Sequence, residues 1–209
     1  YSHCQLYGKW TINLTKTKLN TNRSLRLEFI TNNHHIRLWS ATDINLIRTT
    51  DENNHPFLKK LGIDILDSKT DYNIIFKTLI SKKCYKRKAA TIMLDQSSFG
   101  GLGNYLRSEI LYNAKIHPEN RPCDLSNEAL MKWAESIKDI TYLSYKTGGL
   151  TISKIQYKKN KESGENIYGL KHAVFCRYNY KCHICNEIIK RKWYAKRKLD
   201  YCSNCQNIK

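Results

Sequence analysis

The 209-residue sequence predicts an α+β protein in which antiparallel strands come first, helices follow, and a cysteine-rich β-hairpin ends the chain. Three observations lead to this fold class. Near the N-terminus apolar and polar residues alternate, which is typical of half-buried strands. In the middle of the chain apolar residues recur at the spacing of an amphipathic helix. Near the C-terminus two Cys-x-x-Cys pairs indicate a bound metal rather than a disulfide framework.

The charge of the chain narrows the classes of function. The chain carries 36 Lys and Arg against 18 Asp and Glu, a formal net charge of +18. Such an excess favours a polyanionic partner, either nucleic acid or an anionic membrane surface. No apolar run reaches the roughly 18 residues of a membrane-spanning helix, and the first residues do not resemble a secretory signal peptide. With 41% apolar residues the chain is too hydrophobic for a disordered basic tail.

An N-terminal module of antiparallel strands is predicted over residues 1–60. Its strands are expected around three groups of residues: Trp10, Ile12 and Leu14; Leu25, Leu27 and Phe29; and Ile36 to Trp39. Turn-like sequence separates these groups. Because three strands make a poor sandwich by themselves, we interpret this module as incomplete.

A helical module is predicted over residues 61–153. Helices are expected at Asp71–Ile80, at Ala89–Leu94 and after Asn104. Ser126 can cap a further helix, and Gly148 is expected to end it. This further helix has an apolar stripe of regularly spaced residues: Leu130, Trp133, Ala134, Ile137 and Thr141.

Residues 154–209 form the third predicted region, which has 14 basic and 4 acidic side chains. Its segment Lys158–Asn166 is polar and is expected to be a mobile loop. Ile188–Leu199 is long enough for a β-hairpin. The cations of this hairpin are interleaved with Trp193 and Tyr194, a mixture that suits phosphates and bases. A solvated charge run is the alternative, and the metal site at the base of the hairpin favours binding.

The cysteine spacing Cys182-x2-Cys185-x16-Cys202-x2-Cys205 matches a Cys4 zinc site. Four thiolates at tetrahedral corners leave no open position for water, so we expect one structural zinc. Two disulfides or four free thiols are the alternative. His183 lies inside the first pair and is interpreted as a solvent-facing turn residue rather than as a ligand.

A glycine-rich turn, Gly100-Gly101-x-Gly103-Asn104, stands directly before a predicted helix. Glycine lets backbone N–H groups approach an anion, and the positive end of the helix adds attraction. A phosphate that is also held by the Asn104 amide fits this pattern. An ordinary helix start with Asn104 as its N-cap is the alternative. No Gly-Lys-Ser/Thr sequence follows, which argues against a P-loop.

The order of these parts resembles the formamidopyrimidine-DNA glycosylase / endonuclease VIII family, and within it the endonuclease VIII branch. The resemblance covers essentially the whole chain. It implies a partial N-terminal antiparallel β-sandwich, a helix–two-turn–helix domain over residues 61–153 and a C-terminal β-hairpin zinc finger. The resemblance is carried by Tyr1–Trp10, His55–Leu58, Leu94–Gln96, Gly101–Leu111 and the cysteine hairpin.

The resemblance implies a function in DNA base-excision repair. The family excises oxidised bases and nicks the strand at the abasic site, after flipping the damaged nucleotide out of the duplex. We therefore expect oxidised bases, pyrimidines foremost, as substrates. The expected partner is double-stranded DNA with an oxidised base or an abasic site, and single-stranded DNA is a second candidate. The protein is expected to act as a monomer inside the cell, with its DNA and without a membrane partner.

One set of DNA contacts is implied near the N-terminus. Gln5, Leu6 and Tyr7 match the residues that fill the hole left by the flipped nucleotide in the family. An apolar wedge and an aromatic ring can replace lost stacking, while an amide can bond to the orphaned base. Ordinary strand residues are the alternative interpretation.

A second set of implied contacts grips the DNA backbone. Asn104 matches the family's phosphate-binding asparagine. Lys60 stands where relatives often carry arginine, so it keeps the charge but loses the bidentate geometry. Arg197 matches an arginine that holds the phosphates flanking the lesion and takes part in the second elimination step.

The start of the sequence departs from the family pattern. The family's nucleophile is an N-terminal proline whose amine attacks C1′, and the following glutamate acts as acid. This sequence begins at Tyr1, and Pro56, Pro118 and Pro122 are internal. We therefore expect a glycosylase/AP lyase without its Pro-Glu catalytic segment, inactive as this chain alone. A naturally truncated protein that binds DNA or lesions without cleaving is the alternative, and a general zinc-hairpin module is a third hypothesis.

Overall fold

The computed structural model describes residues 1–5, 7–15 and 20–208. Within them the chain forms two compact units, residues 1–59 and the residues from Lys60 onward. Strands and helices are both present, as predicted for an α+β protein. No helix in these ranges is long and apolar enough to cross a membrane.

The first unit is built from short strands, and the predicted strands are confirmed. The strands are β1 Ser2–His3, β2 Lys9–Leu14, β3 Leu25–Ile30, β4 His34–Trp39 and β5 Asp43–Ile44. An antiparallel sheet has the order β2-β4-β3, and β1 pairs with β5. Two 3-10 helices follow, Thr49–Asn54 and Leu58–Lys60.

Much of one apolar face of the three-stranded sheet lies open to solvent, although Leu38, which pairs with Trp10 on this face, is fully buried. Trp10, Ile12 and Leu14 are 41, 68 and 62% exposed, although their alternation predicted half-buried positions. Trp10 stacks on Phe29, with the ring centroids 6.2 Å apart. An alternating pattern identifies a strand, but burial also requires a second packed layer, which the pattern does not supply.

Helices dominate the second unit, and the predicted helices are confirmed. The helices are α1 Tyr72–Leu79, α2 Ala89–Ile92, α3 Asn104–Asn113, α4 Asn127–Thr147 and α5 Lys154–Glu162. A 3-10 helix, Pro122–Asp124, precedes α4. Strand β6, Ile63–Asp64, pairs in parallel with β7, Phe99–Gly100.

Local signals in the sequence fix the ends of the longer helices. The Asp71 side chain accepts the N–H of Ile74 at 2.8 Å at the start of α1. Ser126 caps α4 in the same way, and Gly148 ends α4 with a left-handed φ of 65°. The predicted apolar stripe of α4 is buried, and Trp133 at its centre is fully enclosed among the other helices. The helix–helix core therefore follows from the periodic pattern.

Helix α5 corrects the prediction of a mobile loop over Lys158–Asn166. Its residues, Lys154–Glu162, are helical, and Ser153 caps the first turn. Asn160 is buried, and its Nδ2 donates to the Leu170 carbonyl at 3.3 Å. The polar composition predicted a loop, but the cap and this buried amide stabilise a helix over the first half of the segment.

The C-terminal hairpin shares its core with the helices. It consists of β8, Lys190–Tyr194, and β9, Arg197–Tyr201. Ala195 and Lys196 between them have φ values of 48° and 61°, the pair of left-handed conformations that a two-residue type I′ turn requires. Three hairpin side chains lie in the helical core: Tyr194, Leu199 and Tyr201.

Asp95 ties the segment before the glycine turn to the basic segment 82–88, which contains Arg87. Its carboxylate accepts the Ser97 N–H at 3.0 Å and lies 2.6 Å from Arg87 Nη1. Burial alone would raise the pKa of Asp95. Hydrogen bonds from Ser97 and the neighbouring Arg87 guanidinium outweigh burial and lower the pKa to about 2.

We expect Asp95→Asn to lower the free energy of unfolding by about 1–3 kcal/mol at neutral pH, the range for hydrogen bonds to a charged group. Because the fold favours the carboxylate, this stabilisation is present above the ordinary pKa of 3.8 and is lost as the pH falls towards 2. Urea unfolding at neutral and acidic pH measures the effect, with Glu162→Gln as the surface control. A difference in the free energy of unfolding between wild type and variant that stays constant down to the lowest pH would contradict this prediction.

Candidate nucleic-acid interface and metal centre

The glycine-rich turn before α3 is held by one side chain. Gln96 Nε2 donates to the Leu102 carbonyl at 2.8 Å, and Gln96 Oε1 accepts the Gly101 N–H at 3.0 Å. Gly101 has a φ of 81°, in the left-handed region that favours glycine. Within the described chain no atom lies within 4 Å of a Cβ built at Gly101 or Gly103. The turn therefore leaves open space beside the N-terminus of α3.

Asn104 is the first residue of α3, and Gly103 is the N-cap. The alternative in which Asn104 caps the helix is therefore wrong. Its amide reaches the hairpin instead, since Nδ2 donates to the Lys198 carbonyl at 2.9 Å. Its Oδ1 accepts from Arg107 Nη2 at 2.7 Å. An amide nitrogen carries two hydrogens, so Asn104 can also donate to a further acceptor.

Arg107 lies one turn further along α3 and is fully buried. Its guanidinium donates to the carbonyls of Ala90, Arg197 and Lys198 as well as to Asn104. All of these acceptors are neutral. Burial, and then the nearby charge of Arg197, lower the pKa of Arg107 to about 10. Arg107 thus remains charged at neutral pH and places a buried cation at the junction between α3 and the hairpin.

The hairpin presents its own cations beside this junction. Arg197 and Lys198 have exposed side chains, while Arg107 holds their backbone carbonyls. The Lys198 ammonium lies 5.6 Å from the centroid of the Trp193 ring, which is 63% exposed. The exposed surface of the hairpin therefore combines cations with an aromatic face, as the sequence predicted.

Glu119 fixes the opposite strand of the hairpin. Its carboxylate accepts the Tyr194 hydroxyl and lies 2.5 Å from Lys88 Nζ. Lys192 Nζ stands 4.0 Å from the same carboxylate. Hydrogen bonds from Lys88 and then Tyr194 lower the pKa of Glu119. The hairpin is thus anchored to the helical region through β8 as well as through the carbonyls of β9.

Glu109 on α3 is a second buried ion that sequence reasoning missed. Its carboxylate accepts the backbone N–H groups of Ala173, Val174 and Phe175 at 2.7, 2.9 and 2.9 Å. It also accepts the Thr151 hydroxyl at 2.6 Å. Glu109 therefore ties the segment leading to the cysteines onto α3. No sequence signal indicates this contact, because the first of the N–H groups lies 64 residues further along the chain.

The four cysteines predicted to bind a metal come together in space. Their sulfur atoms all lie within 4.8 Å of one another. Cys185 Sγ is 3.4 Å from Cys202 Sγ, and Cys182 Sγ is 3.8 Å from Cys205 Sγ. Tetrahedral zinc–thiolate bonds of about 2.3 Å place the sulfurs about 3.8 Å apart. The cluster therefore fits one tetrahedral metal ion, and no two of its four sulfurs are joined in the alternative disulfides.

His183 lies between the first two cysteines but outside the sulfur cluster. It is half-buried, and burial lowers its pKa to about 4. The prediction of a turn residue that is not a ligand is confirmed, but the side chain is half-buried rather than facing solvent. His183 lines a cavity of about 240 Å³ together with Glu109 and Tyr112.

Two of the three implied hole-filling residues, Gln5 and Tyr7, lie at turn positions of the first unit. Gln5 and Tyr7 follow β1 and precede β2, so the alternative of ordinary strand residues is wrong. Gln5 has a φ of 44°, and Tyr7 is 71% exposed. Leu6 lies outside the described residues. Gly8 closes the turn, because a Cβ at this position would lie 2.4 Å from the Cα of Cys4.

Two of the three implied phosphate contacts are brought together. Asn104 and Arg197 meet through Arg107 at the junction of α3 and the hairpin. Lys60 ends the 3-10 helix Leu58–Lys60 and is exposed. Among the described residues no hydrogen bond or ion pair links Lys60 to that network.

Comparisons with known protein sequences point to the same family as the resemblance noted in the sequence. Residues 61–156 match the formamidopyrimidine-DNA glycosylase H2TH domain. The chain is 34% identical over 206 residues to endonuclease 8 of Pectobacterium carotovorum, which covers 99% of this chain and 75% of the relative. It is 35% identical over 207 residues to endonuclease 8 of Escherichia coli, again covering 99% of this chain and 75% of the relative.

Solved structures share the fold at lower identity. Lactococcus lactis formamidopyrimidine-DNA glycosylase, bound to DNA containing an abasic site, gives a TM-score of 0.74 at 21% identity, covering 99% of this chain and 73% of that chain. The same enzyme in complex with DNA containing Fapy-dG gives a TM-score of 0.76 at 22% identity, and the match covers 99% of this chain and 74% of that chain. These matches define an H2TH-domain protein whose four clustered cysteines fit a zinc finger. More specifically, the chain belongs to the formamidopyrimidine-DNA glycosylase / endonuclease VIII family, in its endonuclease VIII branch.

Proposed function

We propose that the chain is the DNA-recognition part of a bifunctional DNA glycosylase/AP lyase that acts in base-excision repair. The substrates are oxidised bases, pyrimidines foremost, followed by the resulting abasic site. The observation that carries this proposal is the junction of α3 and the hairpin, where Asn104 donates to the Lys198 carbonyl and Arg107 donates to the carbonyls of Arg197 and Lys198. The relatives named endonuclease 8 support the enzyme class, and the similarity to that branch supports the preference for pyrimidines.

A DNA phosphate fits against the junction of α3 and the hairpin. The Asn104 amide has a second N–H to donate, and the Arg197 guanidinium is exposed beside it. The N-terminus of α3 points its free backbone N–H groups into the open space at the glycine turn. Arg107 lies behind them as a buried cation whose acceptors are neutral, so its charge adds to the attraction for an anion. Lys60, with its exposed ammonium, is proposed as a further phosphate contact.

Gln5, Leu6 and Tyr7 are proposed to fill the hole left by a flipped nucleotide. The exposed Tyr7 ring can stack on the neighbouring base pair, and the Gln5 amide can bond to the orphaned base. Leu6 would be the apolar wedge between them. Only a duplex leaves a hole and an orphaned base. These side chains should therefore contribute more to binding duplex DNA, the proposed main partner, than to binding single strands.

We further propose that the sulfur cluster holds one structural zinc in a protein that acts as a monomer. Four protein thiolates complete a tetrahedral shell and leave no position for water or substrate. Because two of the cysteines precede β8 and two follow β9, the metal would hold the start of β8 next to the end of β9. The metal would keep Arg197 in place. It would not take part in the reaction at the sugar.

The reaction at the sugar needs an amine that can attack C1′. In the family a proline secondary amine forms a bond to C1′ as the base leaves, which gives a Schiff base that then eliminates the strand. Within the chain the nitrogens of Pro56, Pro118 and Pro122 are amides, which are not nucleophiles. We propose that a Pro-Glu segment ahead of Tyr1 supplies the amine and the acid, and that Arg197 assists the second elimination as a fixed cation beside the phosphates.

Borohydride trapping on one abasic duplex tests this proposal. The 209-residue polypeptide should bind the duplex without forming a covalent adduct, because it offers no proline amine. A polypeptide extended to a Pro-Glu start should be trapped. In that longer form Arg197→Ala should still be trapped but should slow the second elimination. Equal trapping of both lengths would show that an internal amine, such as a lysine, is the nucleophile. Trapping of neither would favour a protein that binds lesions without cleaving.

A further inference from the structure

A tyrosine hydroxyl reaches one sulfur of the cysteine cluster. Tyr112, near the end of α3, places its Oη 3.0 Å from Cys182 Sγ. Tyr112 is 8% exposed and Cys182 is fully buried. Both belong to a small apolar cluster that also contains Ala173, Val174 and Ile189. The contact therefore lies largely shielded from solvent among apolar side chains, at one side of the cavity that Tyr112 also lines.

The direction of this hydrogen bond is fixed once a metal is bound. A metal-bound cysteine is a thiolate and has no proton to donate. The Tyr112 hydroxyl must then be the donor and the Cys182 sulfur the acceptor. A hydrogen bond to a charged acceptor in low-polarity surroundings is stronger than one in water. It also withdraws charge from the sulfur, which makes the thiolate less reactive towards electrophiles.

Tyr112 lies on a helix, whereas the backbone donor near the sulfurs lies within a cysteine loop. The backbone N–H of Cys205 donates to Cys202 Sγ at 3.4 Å, a bond made within a single cysteine loop. Tyr112 instead belongs to α3, whose first turns hold the hairpin through Asn104 and Arg107. One helix thus contacts both the cysteine cluster and the hairpin that carries the exposed cations.

We propose that Tyr112 is a positioning residue of the metal centre, whose hydroxyl donates to the Cys182 thiolate and keeps it in place for the metal. The inference rests on the proposed zinc site and adds a residue outside the four ligands. Hydrogen-bond partners of metal ligands orient the ligand and raise metal affinity. Loss of the hydroxyl should therefore weaken the metal site although all four thiolates remain.

Tyr112→Phe removes the hydroxyl and keeps the buried ring. Tyr105→Phe is the matched control, because its hydroxyl lies on the same helix but bonds to Ser144 at 2.8 Å. Zinc affinity is measured for both variants by competition with a chelator. Cobalt substitution adds a direct readout, since the thiolate-to-cobalt charge-transfer band reports the charge on the sulfurs. Circular dichroism establishes that each variant is folded.

Tyr112→Phe should lower zinc affinity by about tenfold to a hundredfold and should shift the charge-transfer band to lower energy. Zinc release by a thiol-modifying reagent should become faster. Tyr105→Phe should leave all three measurements at the wild-type values. A folded Tyr112→Phe variant with wild-type zinc affinity and an unshifted band would overturn the role of Tyr112. Wild-type protein that binds neither zinc nor cobalt would instead overturn the proposed zinc site itself, and the inference with it.

Discussion

Cys202→Ser is expected to release the metal and to unfold the C-terminal hairpin while the helices persist. Cys202 is fully buried within the sulfur cluster, and a serine hydroxyl is a poor replacement for a thiolate. Structural zinc contributes an apparent binding free energy of about 10–16 kcal/mol in small zinc domains. Tyr194, Leu199 and Tyr201 would leave the helical core as the hairpin unfolds. We expect α3 and α4 to persist, because they contribute no sulfur to the cluster and keep the rest of their core.

Two measurements distinguish unfolding of the hairpin from unfolding of the helices. Elemental analysis should find one zinc per wild-type chain and none in the variant. Amide hydrogen exchange should show protection lost over residues 190–201 and kept in α3 and α4. Cys123→Ser is the control, because Cys123 is a free cysteine outside the cluster. A metal-free wild-type protein that is folded and binds DNA would contradict the prediction.

Arg107→Met is expected to weaken binding to abasic-site duplex by about tenfold to a hundredfold, since a hydrogen bond that involves a charged group contributes about 1.5–3 kcal/mol. The variant loses the bonds to the carbonyls of Arg197 and Lys198 and to Asn104 Oδ1. The hairpin turn would then no longer be held against α3, so several phosphate contacts weaken together. Methionine keeps the length and apolar stem of the side chain, which limits the cavity that is left behind.

The salt dependence of binding distinguishes this role from that of a surface charge. Each phosphate contact adds about 0.9 to the slope of log affinity against log salt. Lys196→Met removes one exposed cation of the hairpin turn and should change the slope by at most about one contact. Arg107→Met should change it by more, because it also displaces Arg197. Equal slopes and affinities for the two variants would show that Arg107 does not position the hairpin.

Local and periodic features of the fold could be predicted from the sequence. The helices α1 and α4 were predictable because Asp71, Ser126 and Gly148 mark their ends and an apolar stripe marks the buried face. The cysteine cluster was predictable because two tight pairs at this spacing have few other uses. Each of these signals lies within one segment of the chain.

Features that depend on packing between distant segments could not be predicted. Arg107 and Glu109 occur in a helical pattern as ordinary charged residues, yet both are buried against backbone groups far along the chain. Helix α5 was missed because composition alone suggested a loop, whereas a cap and the buried Asn160 amide stabilise it. The exposure of Ile12 depends on whether a second layer covers the sheet, and alternation contains no information about that layer.

The affinity of the 209-residue protein for an abasic-site duplex, measured by fluorescence anisotropy over a range of salt concentrations, tests the central claim most directly. We predict that the abasic duplex binds more tightly than an undamaged duplex of the same sequence, and that affinity falls steeply as salt rises. Asn104→Ala should weaken binding by about 1–3 kcal/mol, the range for a hydrogen bond to a charged group. Equal affinity for both duplexes, with no effect of salt or of Asn104→Ala, would contradict recognition of DNA lesions by the junction of α3 and the hairpin.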